Sequence, residues 1–208
     1  VNSASKRLGV AVLFPPRGGQ HNQWYQCDAC QIALVTVDAT HHQCPQCQKV
    51  YRGAPYDDVV FARQHGHNLA RASDAAWAFA LTDEQVFATD AKAILLGYAA
   101  RYEGYPHHSN DRDPSKPRDS GGHLYAQTLT EASAFVTQIA PAIDLVWPAL
   151  DEAERAQLLQ HLVRPLVQNI AKCKRGMSNW QSWHNAALFA GGVLLEDAKL
   201  MRRSVLDR

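Results

Sequence analysis

Four of the five cysteines fall in two tight pairs, "CDAC" (Cys27, Cys30) and "CPQC" (Cys44, Cys47). No other feature restricts the fold so strongly. Two Cys-x-x-Cys knuckles separated by thirteen residues match the spacing of a zinc ribbon, in which each knuckle turns two thiolates toward one tetrahedral ion. The stretch between them, "ALVTV", alternates as a β-strand does and supplies the hairpin that brings the knuckles together. So short a segment cannot hold a core of its own, and metal binding is what folds it. Residues 21–55 are therefore expected to form a zinc-ribbon-like module with a structural Zn2+ on Cys27, Cys30, Cys44 and Cys47. Four thiolates leave no open position for water. Disulfides are the alternative in an oxidising compartment. A redox Cys-x-x-Cys does not fit two pairs without a thioredoxin-like βαβ pattern. His41 and His42 are surplus to a four-cysteine site, and Cys173, near a helix end, reads as a packed thiol.

Residues 1–20 read as a connector, with "GVAVLF" as one strand broken by "PPRGG". From Tyr56 the period changes to that of helices. Phe87, Ala91, Ile94, Leu95, Tyr98 and Tyr102 recur every three or four residues, as do Ala132, Phe135, Val136, Ile139, Ile143 and Val146. Asp151 and Glu154 form a capping pair for a helix carrying Leu158, Leu159, Leu162, Leu166 and Ile170, which Pro165 should kink. Further helices start near Asn179 and Asp197. Short connections between such helices predict antiparallel pairs in series over residues 56–208. The expected fold is mainly α: an incomplete α/α toroid with a small N-terminal β module, about three helix pairs being too few to close the ring. A chain that begins at Val1 and ends in a charged helical pattern is expected to be a piece of a longer polypeptide. Its formal net charge of +1 argues against nucleic-acid binding, and no apolar stretch is long enough for a membrane span.

Two stretches concentrate polar chemistry. The first, "SNWQSWHN" (residues 178–185), opens a helix that continues as "AALFAGGVLL". Ser178 and Gln181 make a capping box. Asn179, His184 and Asn185 are left over, with Trp180 and Trp183 beside them. Gln181, His184, Asn185 and Leu188 share a helix face. Indoles beside amides suit a sugar site as well as a core, because flat apolar faces stack on rings while amides bind hydroxyls or carboxylates. The second stretch, "GGHLYAQTLTEA" (residues 121–132), places His123, Tyr125, Gln127 and Glu131 where the long loop 103–122 returns to a helix. That loop carries His107, His108, Arg112 and Arg118, which would suit an anionic polymer but read first as solvated charge. Arg63, Arg71, Arg101, Arg202 and Arg203 read as helix-surface charge.

The order "WYQC..C", "HQCPQC..VYRGAPYDD", "GHLYAQTLTEASAFVTQIAPAIDLVWPALDEAER" and "SNWQSWHNAALFAGGVLL" resembles the N-terminal half of heparinase II/III-like polysaccharide lyases, over roughly residues 21–208. That family includes heparin, heparan, alginate and oligoalginate lyases. The resemblance implies an α/α toroid followed by antiparallel β-sheet domains, and cleavage of an anionic uronate-containing polysaccharide by β-elimination. An amide or imidazole must then neutralise the uronate carboxylate so that the C5 proton can leave. The resemblance assigns this to Asn179 first, with Gln181 and His184 as rivals. Some relatives carry an Asn-His pair where this chain has Asn179-Trp180. Trp180, Trp183, Asn185, His123, Tyr125, Gln127 and Glu131 are the expected substrate contacts. The base and acid, a Tyr and a further His, are expected beyond residue 208, so the segment alone should be inactive. The missing β-sheet portion is the expected partner, and the periplasm or exterior the expected location. Two other functions compete: a toroid glycoside hydrolase using Glu131 and Asp144 as its carboxylates, and a non-catalytic module binding carbohydrate or protein. Asp144, within "APAIDLVW", reads rather as a helix-packing acid.

Overall fold

Helix α1 (Asn2–Ser5) precedes a long extended segment, a small sheet, and then helices for most of the remaining length. The computed structural model describes residues 1–111 and 118–206. Helices α2 (Tyr56–Thr82) and α3 (Gln85–Ala99) are joined by Asp83 and Glu84 alone, so they must fold back on each other. Asp83 takes the left-handed conformation (φ 58°), which ends α2 and returns its N–H to the Phe79 carbonyl at 2.7 Å. The expected stripe is the buried face: Phe87, Ala91, Ile94, Leu95, Tyr98 and Tyr102 all lie within the core.

Two prolines are handled by one device. Helix α4 (Thr128–Ala134) continues through a π turn, Phe135–Ile139, into α5 (Ala140–Val146), and α6 (Glu152–Leu158) continues through a π turn, Leu159–Val163, into α7 (Arg164–Lys172). Pro141 and Pro165 each stand two residues past their π turn. A proline ring presses on the carbonyl four residues back and offers it no N–H. Those carbonyls belong to residues 137 and 161, the centres of the two widened turns. The disturbance expected at Pro165 is thus taken up as an extra residue in one turn. Asp151 caps α6 with the reciprocal bonds of a capping box, as its spacing to Glu154 predicted.

Helix α8 (Asn179–Leu194) lies between α7 and α9 (Ala198–Leu206). Gly191 and Gly192 permit this: a Cβ on Gly191 would come within 2.4 Å of Val167 in α7, and one on Gly192 within 2.7 Å of Met201 in α9.

Residues 10–17 form neither a strand nor a free connector. They run as a strap over α2, held by side chains instead of a ladder. Arg71 donates to the Val10 carbonyl (2.8 Å), Asn68 to Leu13 (2.9 Å), Tyr105 to Pro15 (2.9 Å) and His65 to Arg17 (3.0 Å). Pro15 and Pro16 have no N–H to give, which rules out regular pairing there. Phe14 packs edge-on against Tyr98 at 5.1 Å. Arg71 is therefore no surface residue. It is buried, in a two-pronged pair with Asp90 (2.9 and 2.5 Å). Arg101 and Arg203 donate to the carbonyls of Gly97 and Ala171.

The small sheet is antiparallel, in the order β1 (Val35–Asp38), β2 (His41–Gln43), β3 (Val50–Tyr51). All four residues of β1 are exposed, so the alternation in "ALVTV" does not mark a buried face. The module's core is Tyr25, Cys27, Leu34, Cys44 and Tyr51, completed by Val59 of α2. Fully buried His42 bolts the two together, bonding the Tyr25 hydroxyl through Nδ1 (2.8 Å) and Asp57 of α2 through Nε2 (2.9 Å).

Candidate functional site

The four paired cysteines converge, with their Sγ atoms all within 4.8 Å of one another. Sulfurs about 2.3 Å from a tetrahedral ion lie about 3.8 Å apart. The Cys27–Cys47 separation is 3.7 Å, far beyond a disulfide bond, and all five cysteines are free. Each knuckle turns a backbone N–H onto its first sulfur: Cys30 N–H to Cys27 and Cys47 N–H to Cys44, both at 3.4 Å. The Tyr51 hydroxyl donates to Cys27 Sγ at 3.2 Å. That hydroxyl, with the Cys30 N–H, draws the Cys27 thiol down to about 6. The neighbouring sulfurs, Cys47 first, push Cys30 up to about 12. A divalent cation among four thiolates reverses that second effect, since it favours every deprotonated form. The four cysteines can hold one metal ion. Sequence reasoning overlooked Tyr51 and its partner Asp28, whose only signal is a tyrosine four residues after the second knuckle.

At the start of α8, Ser178 Oγ accepts the Gln181 N–H at 3.3 Å, but the capping box is only half made. Gln181 turns its side chain elsewhere. Its carbonyl accepts the Arg175 N–H (2.8 Å) and its amide donates to Asn185 Oδ1 (2.8 Å). The chain before the helix, turning at Gly176 (φ 57°), brings the Arg175 N–H into reach. His184 is fully buried and Nδ1 donates to the Cys173 carbonyl at 3.1 Å. Its Nε2 is buried without a partner among the described residues, and burial lowers its pKa. Trp180 and Trp183 are half-buried. The former meets His184 edge-on and carries the Arg175 guanidinium 4.9 Å above its ring. Asn179 is exposed at the first turn. Of the three groups expected to neutralise a carboxylate, two are drawn into the protein and Asn179 alone faces solvent. A shallow cavity of about 470 Å³ lies against Ser178, Gln181 and Asn185.

The second cluster does not join this one. His123, with Nδ1 on the Tyr105 carbonyl at 2.7 Å, borders a groove of about 440 Å³ with His107 and Lys172. Tyr125 and Gln127 border a different cavity, of about 500 Å³, against residues 19–22 and α2. Glu131 reaches neither, which corrects its expected role as a substrate contact. It is fully buried, and its oxygens accept from the N–H groups of Leu124 (2.7 Å) and Tyr125 (3.3 Å), the Tyr102 hydroxyl (3.1 Å) and the Asn169 amide (3.1 Å). Burial raises its pKa while these donors oppose the rise. Gly122 is a glycine because a Cβ there would fall 2.3 Å from this carboxyl. Asp144 is exposed rather than packed. One sealed and one solvated carboxylate do not make a hydrolase pair, which must flank a single bond. In the loop, Arg118 pairs with Asp111 (2.9 Å) and His108 with the Gly19 carbonyl (3.0 Å), while Arg112 lies outside the described residues.

No family profile matches the chain. It is similar to an exo-oligoalginate lyase of Saccharophagus degradans, with 24% identity over 147 residues. The chain is a distant relative of a lyase. The matched stretch covers 69% of this chain and 19% of that protein, so the chain spans about a fifth of its relative's length.

Proposed function

We propose that this chain is the N-terminal helical portion of a polysaccharide lyase that cleaves a uronic-acid polymer by β-elimination. The observation that carries the reading is the similarity to an exo-oligoalginate lyase over more than two thirds of the chain. The helix pairs belong to an α/α toroid of the heparinase II/III-like kind, and the cysteine site holds a structural Zn2+, the ion whose tetrahedral thiolate sphere the sulfur spacing matches. A charged carboxylate makes the adjacent C5 proton hard to remove, and a hydrogen bond to it stabilises the enolate-like charge that develops. Asn179 makes that bond, being the exposed amide at the start of α8. Gln181, His184 and Asn185 fix the turn that presents it. The base and acid, and the β-sheet domains that complete the cleft, come from the rest of the protein, which works in the periplasm or outside the cell.

The test is turnover of a panel of uronate polymers by the longest natural form, followed by the ultraviolet absorbance of the unsaturated product. Asn179→Ala should lower kcat/KM by about 10²–10³-fold, the cost of losing one donor to a developing oxyanion. The melting temperature should not change, because the side chain is exposed. A hydrolytic product, or full activity in Asn179→Ala, would refute the reading.

A further inference from the structure

Arg63 points to a second site. Its guanidinium lies 4.4 Å above the Tyr25 ring, donating to Asn22 Oδ1 (2.9 Å) and Thr36 Oγ1 (3.4 Å). Every one of these partners is neutral. Arg17, Arg71 and Arg118 each meet an aspartate at 2.9 Å or less, whereas no carboxylate among the described residues lies within ion-pair distance of Arg63. A guanidinium fixed by stacking and neutral acceptors, with no counter-ion, is prepared to receive one.

Arg63 borders the cavity of about 500 Å³ between residues 19–22, α2 and the start of α4, within the range of small-ligand pockets (about 300–1,000 Å³). Among the described residues, no aspartate or glutamate lines it. Three of its other side chains, Gln127, Tyr125 and His21, can donate a hydrogen bond. Gln127 is the N-cap residue of α4, yet its side chain does not cap the helix. Tyr125 is only 8% exposed, and its hydroxyl has no hydrogen bond to a described residue. Burial and the nearby Glu131 raise its pKa, so it stays protonated. His21 accepts the Gln23 N–H on Nδ1 at 3.1 Å, which leaves its proton on Nε2. Val59 and Ala62 supply an apolar floor.

We propose that this seam binds the carboxylate of an acidic sugar residue, with Arg63 as its anchor and Gln127 and Tyr125 donating to the carboxylate or ring hydroxyls. The choice of an acidic sugar rests on the lyase reading; the preference for a carboxylate rests on Arg63. The site is separate from the α8 start, so one chain would grip a polymer at two places. It also gives the metal module a task, because Asn22, Tyr25 and Thr36, which aim Arg63, all belong to that module.

The test is calorimetric titration of the chain with a mannuronate trisaccharide and with neutral mannotriose, together with amide chemical-shift mapping. The acidic sugar should bind at least about tenfold more tightly than the neutral one and shift the amides of Ala62, Gln127 and Thr130. Arg63→Gln should weaken it about tenfold or more, as expected for a lost charge-assisted pair, and Arg63→Lys by less. Metal content and melting temperature report whether each variant is folded, and the wild-type shift map stands even if Arg63→Gln is not. No binding, equal binding of both sugars, or shifts confined to residues 178–185 would overturn the proposal. Arg63-dependent binding without any unsaturated product from the long form would refute the lyase reading and leave the site standing. Turnover with an unchanged KM in Arg63→Gln would do the reverse.

Discussion

Acidification should loosen this protein through one buried imidazole. His65 is fully buried, and its bonds run in one direction. The Asn68 amide donates to the Tyr98 hydroxyl (3.3 Å), that hydroxyl to His65 Nδ1 (3.0 Å), and His65 Nε2 to the Arg17 carbonyl (3.0 Å). A second proton on the ring would turn Nδ1 into a donor facing a donor. Burial, the larger cause, holds the pKa at about 4 against 6.5 for a free imidazole. The sign follows from which state takes the proton first. Between pH 6.5 and 4 the unfolded chain is protonated and the folded chain is not, so stability is present above that window and lost as pH falls through it. At about 1.4 kcal/mol per pKa unit, the loss relative to neutral pH is about 2 kcal/mol at pH 5 and about 3 kcal/mol by pH 4. For a chain of this size that lowers the melting temperature by roughly 6–12 °C. Urea unfolding of the wild type and of His65→Gln at a series of pH values isolates the effect, because acid release of the metal is common to both. The two stability curves should converge as pH falls. Parallel curves would refute the argument.

Removing the metal with a strong chelator should unfold residues 21–55 while α2 and the helices after it persist, because the module's own core is small and its ties to α2, Val59 and the His42–Asp57 bond among them, do not replace four metal–sulfur bonds. Loss of β signal with retained helical circular dichroism is the expected readout, together with one equivalent of released ion. Glu131→Ala should cost about 3–5 kcal/mol, since buried donors lose their acceptor. Glu131→Gln, which keeps one oxygen, should cost about 1–3 kcal/mol. Denaturant unfolding separates the two, and equal losses would mean that the carboxylate's charge is what the site requires.

The cysteine cluster was legible because ligand type and spacing are local properties, and the helices because Phe87, Ile94, Leu95 and Tyr98 keep a 3.6-residue period over the whole of α3. What escaped depends on partners distant in sequence. Arg71 looks like surface charge until Asp90 and the Val10 carbonyl are beside it. "GVAVLF" has a strand's composition, yet its Val10 and Leu13 carbonyls are met by side chains of α2. Ser178 and Gln181 satisfy the capping-box spacing, but the Arg175 N–H wins the glutamine. Tyr125 and His123, two residues apart, face different cavities, and spacing alone could not reveal that.

The strap carries a consequence for how this chain tolerates change. The residues that hold Val10, Leu13 and Arg17 are Arg71, Asn68 and His65, spaced three apart on α2 and taken in descending order. All three grip carbonyl oxygens, which every amino acid possesses. The instructions for placing the strap are therefore written in α2 and not in the strap itself. Exposed side chains such as Val10 and Leu13 are free to vary, whereas the length of the strap is not. One inserted or deleted residue would leave a buried guanidinium, amide or imidazole reaching for an oxygen that has moved.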